Sequence, residues 1–108
     1  MSNEKFNGVL QKHFDDMNSV GLGELLLFGD GINRFVESPA RRSRLLNRIT
    51  DVCGWSTSAR DFVKKVSYAD FKKLSGISEI SALGLKLYLL YECGADWEYP
   101  DRVVAVKF

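Results

Sequence analysis

Two segments with helical apolar spacing, Tyr68–Leu74 and Glu79–Cys93, are separated only by Ser75-Gly76-Ile77-Ser78. So short a connection forces a sharp reversal, since a chain advances at most about 3.6 Å per residue. Gly76 is the residue type that accepts a left-handed backbone there. Ser67-Tyr68-Ala69-Asp70 is a capping-box variant with Asp in place of Glu, and Ser78 is a helix N-cap type. The pattern predicts a short helix ending at Leu74, a hairpin, and a long helix over Glu79–Cys93 that Gly94 stops. Gly84, inside that helix, costs about 1 kcal/mol relative to alanine, which points to close packing at that turn.

The rest of the chain is punctuated in the same way. Glu4–Met17 reads as an amphipathic helix with Phe6, Val9, Leu10, His13, Phe14 and Met17 on one face. Asn18–Gly21 breaks it, Leu22–Phe28 is a short apolar helix, and Gly29-Asp30-Gly31 reads as a tight glycine turn. Ser38-Pro39 starts a helix that runs to about Val52, with Leu45, Leu46, Ile49, Val52 and Cys53 on its apolar face. Gly54 closes it. Ser56 or Thr57 is expected to cap a helix over Ser58–Lys65. The expected fold is all-α, a bundle of five to six short helices filling residues 1–94. A short extended tail, 95–108, is expected to follow. In the tail Trp97 and Tyr99 precede Pro100, and Arg102–Phe108 reads as extended: a strand, an arm on the domain, or a truncated link.

Length and composition narrow the function classes. At 108 residues and 45% hydrophobic, one folded domain with a real core is expected. No signal peptide is legible, and no apolar run approaches the roughly 20 residues that span a bilayer. A cytoplasmic protein with no membrane partner is therefore expected, with Cys53 and Cys93 as free, mostly buried thiols. Zinc needs about four ligands and His13 is the only histidine, so no metal is expected. His13 lies on an apolar face and reads as a packed or hydrogen-bonded residue. No nucleophile elbow or Walker loop occurs. No catalytic residue, no cofactor and no enzymatic activity are expected.

Phe71–Leu85 fits the helix-hairpin-helix pattern: an apolar residue, a gap, Gly-apolar-Gly, three residues, Ala, then apolar positions. Gly76 reverses the chain, Ile77 plugs the space between the helices, and Ala82 lets them cross closely. The free N–H groups that open the second helix, at the positive end of its dipole, make an anion site for a backbone phosphate. Such a site grips without reading bases. Ser78 in place of the second glycine, and Glu79 after it, weaken that site; Lys72, Lys73 and Lys86 are the compensating bases. The alternative is a plain connection used only for packing.

Net charge is +1, but it is unevenly spread: residues 38–75 carry nine bases against three acids, between acidic flanks. Arg41, Arg44 and Arg48 share a helix face, with Arg42 on the same helix and Arg34 before it. They form either a solvated face or a clamp on nucleic-acid backbone or an acidic partner. Trp55, Trp97, Tyr99 and Phe108 either stack on bases or, more simply, pack the core and tail.

The chain also resembles the N-terminal helix-hairpin-helix domain of the RadC-like proteins, a SAM-like or RuvA-like bundle. Val9–His13, Leu22-Gly23-Glu24-Leu25-Leu26, Gly29-Asp30-Gly31, Ser43–Leu46, Val66–Phe71, Leu74–Ser78 and Ala82 carry the resemblance, over roughly Val9–Gly94. Three departures stand out. Gly29–Leu45 is several residues longer, Ser78 replaces a glycine, and the family's metal-dependent JAB-type domain has no counterpart in the 14 residues after Gly94. The resemblance implies the fold and a nucleic-acid role without catalysis. The expected function is a non-enzymatic module that binds DNA or RNA backbone through Ser75, Gly76, Ile77, Ser78, Lys72, Lys73, Arg41, Arg44 and Arg48. The alternative is a protein-interaction or inhibitor domain of phage or mobile-element type that keeps the fold without binding DNA, with a protein partner or a homodimer through the C-terminal tail.

Overall fold

The structure, a computed structural model, describes residues 2–101, with side chains from Val9 onward. Among these residues there are six α-helices and no strand: α1 (Ser2–Met17), α2 (Leu22–Phe28), α3 (Pro39–Cys53), α4 (Ala59–Lys65), α5 (Tyr68–Lys72) and α6 (Glu79–Cys93). A 3-10 turn, Gly31–Arg34, joins α2 to α3. The extended reading of Arg102–Phe108, and any homodimer built on it, lies outside the described residues.

Four helices begin on a serine whose hydroxyl accepts from the amide three residues on. Ser38 caps α3 at 3.4 Å with Pro39 at the first helical position, Ser58 caps α4 at 3.2 Å, and Ser67 and Ser78 cap α5 and α6 at 3.1 Å each. Each such cap is worth about 1 kcal/mol. Ser58, rather than Ser56 or Thr57, caps α4, because the Thr57 hydroxyl is already donating to the Cys53 carbonyl at 2.5 Å. α2 has no side-chain cap. Its first amides, Leu22 and Gly23, donate instead to the carbonyls of Thr57 and Trp55 at 2.7 and 3.2 Å.

α6 is the central helix, packed by α1, α3, α4, α5 and the 3-10 turn. Its Leu85, Tyr88, Leu89 and Cys93 belong to one core cluster with Leu45 and Ile49 of α3, Phe62 and Val63 of α4, Phe71 of α5, and Leu22 and Leu26 of α2. Full burial of such side chains contributes about 1.5–3 kcal/mol each. Gly84 behaves as its position in the sequence implies: a Cβ there would lie 2.5 Å from the Phe35 carbonyl oxygen and 2.6 Å from Val36 Cγ2. The turn after α2 differs from expectation. Neither Gly29 nor Gly31 has positive φ; the reversal is made by the 3-10 turn, whose Ile32 is buried. On α1 the apolar stripe is only partly used, with Phe14 buried and Val9 and His13 exposed.

Packing continues past Gly94, where the sequence placed the domain's end. Trp97 is 3% exposed and its indole donates to the Val66 carbonyl at 2.8 Å. Its ring meets Phe62, Tyr68 and Phe71 at centroid distances of 5.1, 5.1 and 5.3 Å. A large ring with one buried donor finds both apolar neighbours and an acceptor there. Asn18, which reads in sequence as a helix breaker, ties three elements together: its amide donates to the Phe14 and Cys93 carbonyls at 2.8 and 2.7 Å and accepts from the Arg60 amide at 2.9 Å.

Candidate nucleic-acid interface

The reversal between α5 and α6 forms as a tight hairpin. Gly76 has φ +84°, a backbone that residues with a Cβ rarely adopt. The Ile77 amide donates to the Leu74 carbonyl at 3.2 Å, and the Ile77 side chain packs against the core. Ala82 is fully buried. Ser78 closes the first turn of α6 twice, accepting from the Ser81 amide at 3.1 Å and donating to the Ser81 hydroxyl at 2.9 Å. The amides of Glu79 and Ile80, ahead of that turn, have no intrahelical acceptor by position. Both residues are exposed.

Of the expected cations, the fold brings Arg44 to the hairpin most directly: a Cβ on Gly76 would stand 3.6 Å from Arg44 Cδ. Arg44 and Lys73 are exposed and, among the described residues, neither they nor Arg41 makes an ion pair. Arg41 lies one turn earlier on α3 and lines, with Ser38, Glu37, Arg34 and Ile80, a groove of about 330 Å³ beside the start of α6. The basic ridge of α3 and the hairpin therefore share one edge of the molecule.

The other expected cations are engaged by the protein itself. Arg48 pairs with Asp51 at 2.7 Å, and its Nε is buried without a hydrogen-bond partner. Lys72 and Lys86 place their ammonium groups 4.9 and 4.8 Å from the centre of the Tyr68 ring, and Lys86 also lies 4.0 Å from the Glu98 carboxylate. Arg42, on the same helix as Arg44, donates to the Val36 and Glu37 carbonyls at 2.9 and 2.6 Å and so fixes the entry to α3. Arg34 reaches Glu92 at 3.6 Å.

No protein-family model matches this chain, and no curated protein or solved structure matches it either. The RadC-like resemblance thus stands on the residues quoted for it alone.

The remaining sites carry less chemistry. Trp97 is a core residue, and Trp55 is half-buried against Phe28 with ring centres 6.4 Å apart; Phe108 lies outside the described residues. His13 sits at the rim of a small cavity, 3.6 Å from the Glu92 carboxylate. Burial pushes the Cys93 thiol up to about 12, and burial likewise raises Cys53 and Tyr68, with the Glu79 charge adding to the effect on Tyr68. Both cysteines are free and are held as thiols rather than thiolates. Among the described residues no cluster of His, Cys, Asp or Glu is arranged to hold a metal, and no helix is long and apolar enough to cross a membrane.

Sequence reasoning missed which arginine reaches the hairpin. Arg44 and Gly76 are far apart in sequence, and helical spacing alone groups Arg44 with Arg41 and Arg48 without saying what that face meets.

Proposed function

We propose that this protein is a non-enzymatic module that grips the sugar-phosphate backbone of DNA or RNA along the edge formed by Ser75–Ser78, Lys73, Arg44 and Arg41. The observation that carries the reading is the placement of Arg44 against Gly76. It brings the Arg44 side chain, which makes no ion pair among the described residues, against the hairpin that leads into α6. A phosphate there would take hydrogen bonds from the first amides of α6 and a bidentate contact from the planar guanidinium. Contacts of this kind position a backbone and read no sequence. Glu79 at the helix start competes for the same amides, so Arg44 and Lys73 supply much of the attraction.

The test is fluorescence anisotropy with a labelled 20-base-pair duplex and a single strand of the same length, titrated at low and physiological salt. Gly76→Asp places a carboxylate at the hairpin and is expected to abolish binding. Native-level duplex binding by that variant would remove the hairpin from the account.

A second reading has its own observation. The outward face of α6 is apolar along its length, as in a protein-interaction domain that keeps this fold without nucleic-acid binding, a small regulator or inhibitor. Absence of binding to either probe at low salt would favour it.

A further inference from the structure

α1, α2, the 3-10 turn and α6 together line a cavity of about 230 Å³ on the side of the molecule that carries Glu92. Part of the lining is apolar: Met17 of α1, Leu25 of α2 and the buried ring of Tyr88. The other part is charged or polar, with Asp30 and Arg34 from the turn, His13 from α1 and Glu92 from α6. Glu92 stands between an imidazole and a guanidinium without bonding to either. Its carboxylate oxygens lie 3.6 Å from His13 Nε2 and 3.6 Å from Arg34 Nη1, both beyond hydrogen-bond length. A gap of that size between polar groups is room for a bridging molecule. Asp30 is exposed and makes no ion pair among the described residues. Gly31 is a further sign that the space is built. Its φ is not positive, so its backbone does not require glycine. A Cβ there would lie 3.3 Å from Tyr88 Cε1 and 3.6 Å from Glu92 Oε1, intruding where the ring and the carboxylate meet.

We propose that this cavity binds a free α-amino acid with an apolar side chain. Glu92 and Asp30 receive the ammonium group, the Arg34 guanidinium and the His13 imidazole receive the carboxylate, and the side chain lies on Met17, Leu25 and Tyr88. An amine alone would be placed beside the guanidinium, and a carboxylate alone would face Glu92 and Asp30. A ligand that carries both charges leaves neither repulsion standing. The volume is that of about eight water molecules at roughly 30 Å³ each, enough for a ligand of roughly ten non-hydrogen atoms. A molecule so small binds weakly, with a dissociation constant on the order of 1 mM. The site shares no residue with the edge assigned to the phosphate, so the inference is independent of the hairpin's role.

His13 is the chain's only histidine, so its ring protons are an unambiguous magnetic-resonance reporter at the cavity. The test is a titration of the full chain, at fixed pH and ionic strength, with L-leucine, L-methionine and L-phenylalanine to about 10 mM. The His13 ring signals are expected to shift saturably with at least one of the three. Glycine, which has the two charges without the side chain, and isopentylamine and 4-methylpentanoate, which each keep one charge of L-leucine, should bind at least about tenfold more weakly. Glu92→Gln should weaken binding by about tenfold or more. Arg34→Gln, at a side chain 78% exposed, should do the same with unchanged helical circular dichroism, and it decides the matter if Glu92→Gln loses its fold. No shift with any of the three amino acids by about 10 mM overturns the proposal. So does a response to glycine, isopentylamine or 4-methylpentanoate equal to that of L-leucine, or native-strength binding by the folded Arg34→Gln chain.

Discussion

The aromatic cluster around Trp97 and the edge at Gly76 both adjoin α5, and both hold cations. They use them in opposite ways. Around Tyr68, Lys72 and Lys86 are folded onto a ring, and Lys86 is close to Glu98. Those charges belong to the protein's own packing, and such contacts are worth about 0.5–1 kcal/mol at exposed sites. At the hairpin, Arg44 and Lys73 have no acidic partner and the backbone is held in a conformation that favours glycine. A count of basic residues treats the two sets as equal. Their surroundings make one set structural and leave the other available to a ligand.

The contrast predicts that the cluster governs stability and the edge governs binding. Trp97→Ala removes a buried ring and strands the Val66 carbonyl, and a loss of about 3–5 kcal/mol is expected in urea unfolding. A loss below about 1 kcal/mol would show that the segment beyond Gly94 is not part of the core. The core should also be sensitive to alkali. Cys93 has an ordinary value of 9.0 and is pushed up to about 12 by burial, so below pH 9 folded and unfolded chains hold the proton alike. Above it the unfolded chain releases the proton first, and stability is lost as pH rises from 9 to 12. The melting temperature should be flat across neutral pH and fall through that window, and Cys93→Ala should flatten part of the fall. Gly76→Ala strains a left-handed backbone and should cost only about 1–2 kcal/mol.

Much of the fold was legible in residue order. Serine caps mark α3, α5 and α6, and glycine stops end α3 and α6, because capping is local chemistry, written within a few residues. α2 was legible from its apolar run, though not its reliance on the Trp55 and Thr57 carbonyls, which are remote in sequence. The role of Trp97 was hidden because Gly94 ends a helix and yet does not end the core. At the site, the hairpin was readable from Gly76 and Ser78. The division of the cations was not, since it depends on which helix face meets which neighbour. Arg42 and Arg44 are two residues apart, and one closes a loop while the other stands open.

The central claim is that Arg44 and Lys73, and not Lys72, meet backbone phosphates. The most direct measurement is the dependence of duplex affinity on salt, for the native chain and for Arg44→Ala, Lys73→Ala and Lys72→Ala. Each phosphate contact contributes about 0.9 to the slope of log affinity against log salt. Arg44→Ala and Lys73→Ala should each lower that slope by about 1, and Lys72→Ala should leave it unchanged. Equal slopes in all four proteins, or a loss in Lys72→Ala matching that in Arg44→Ala, would contradict the account.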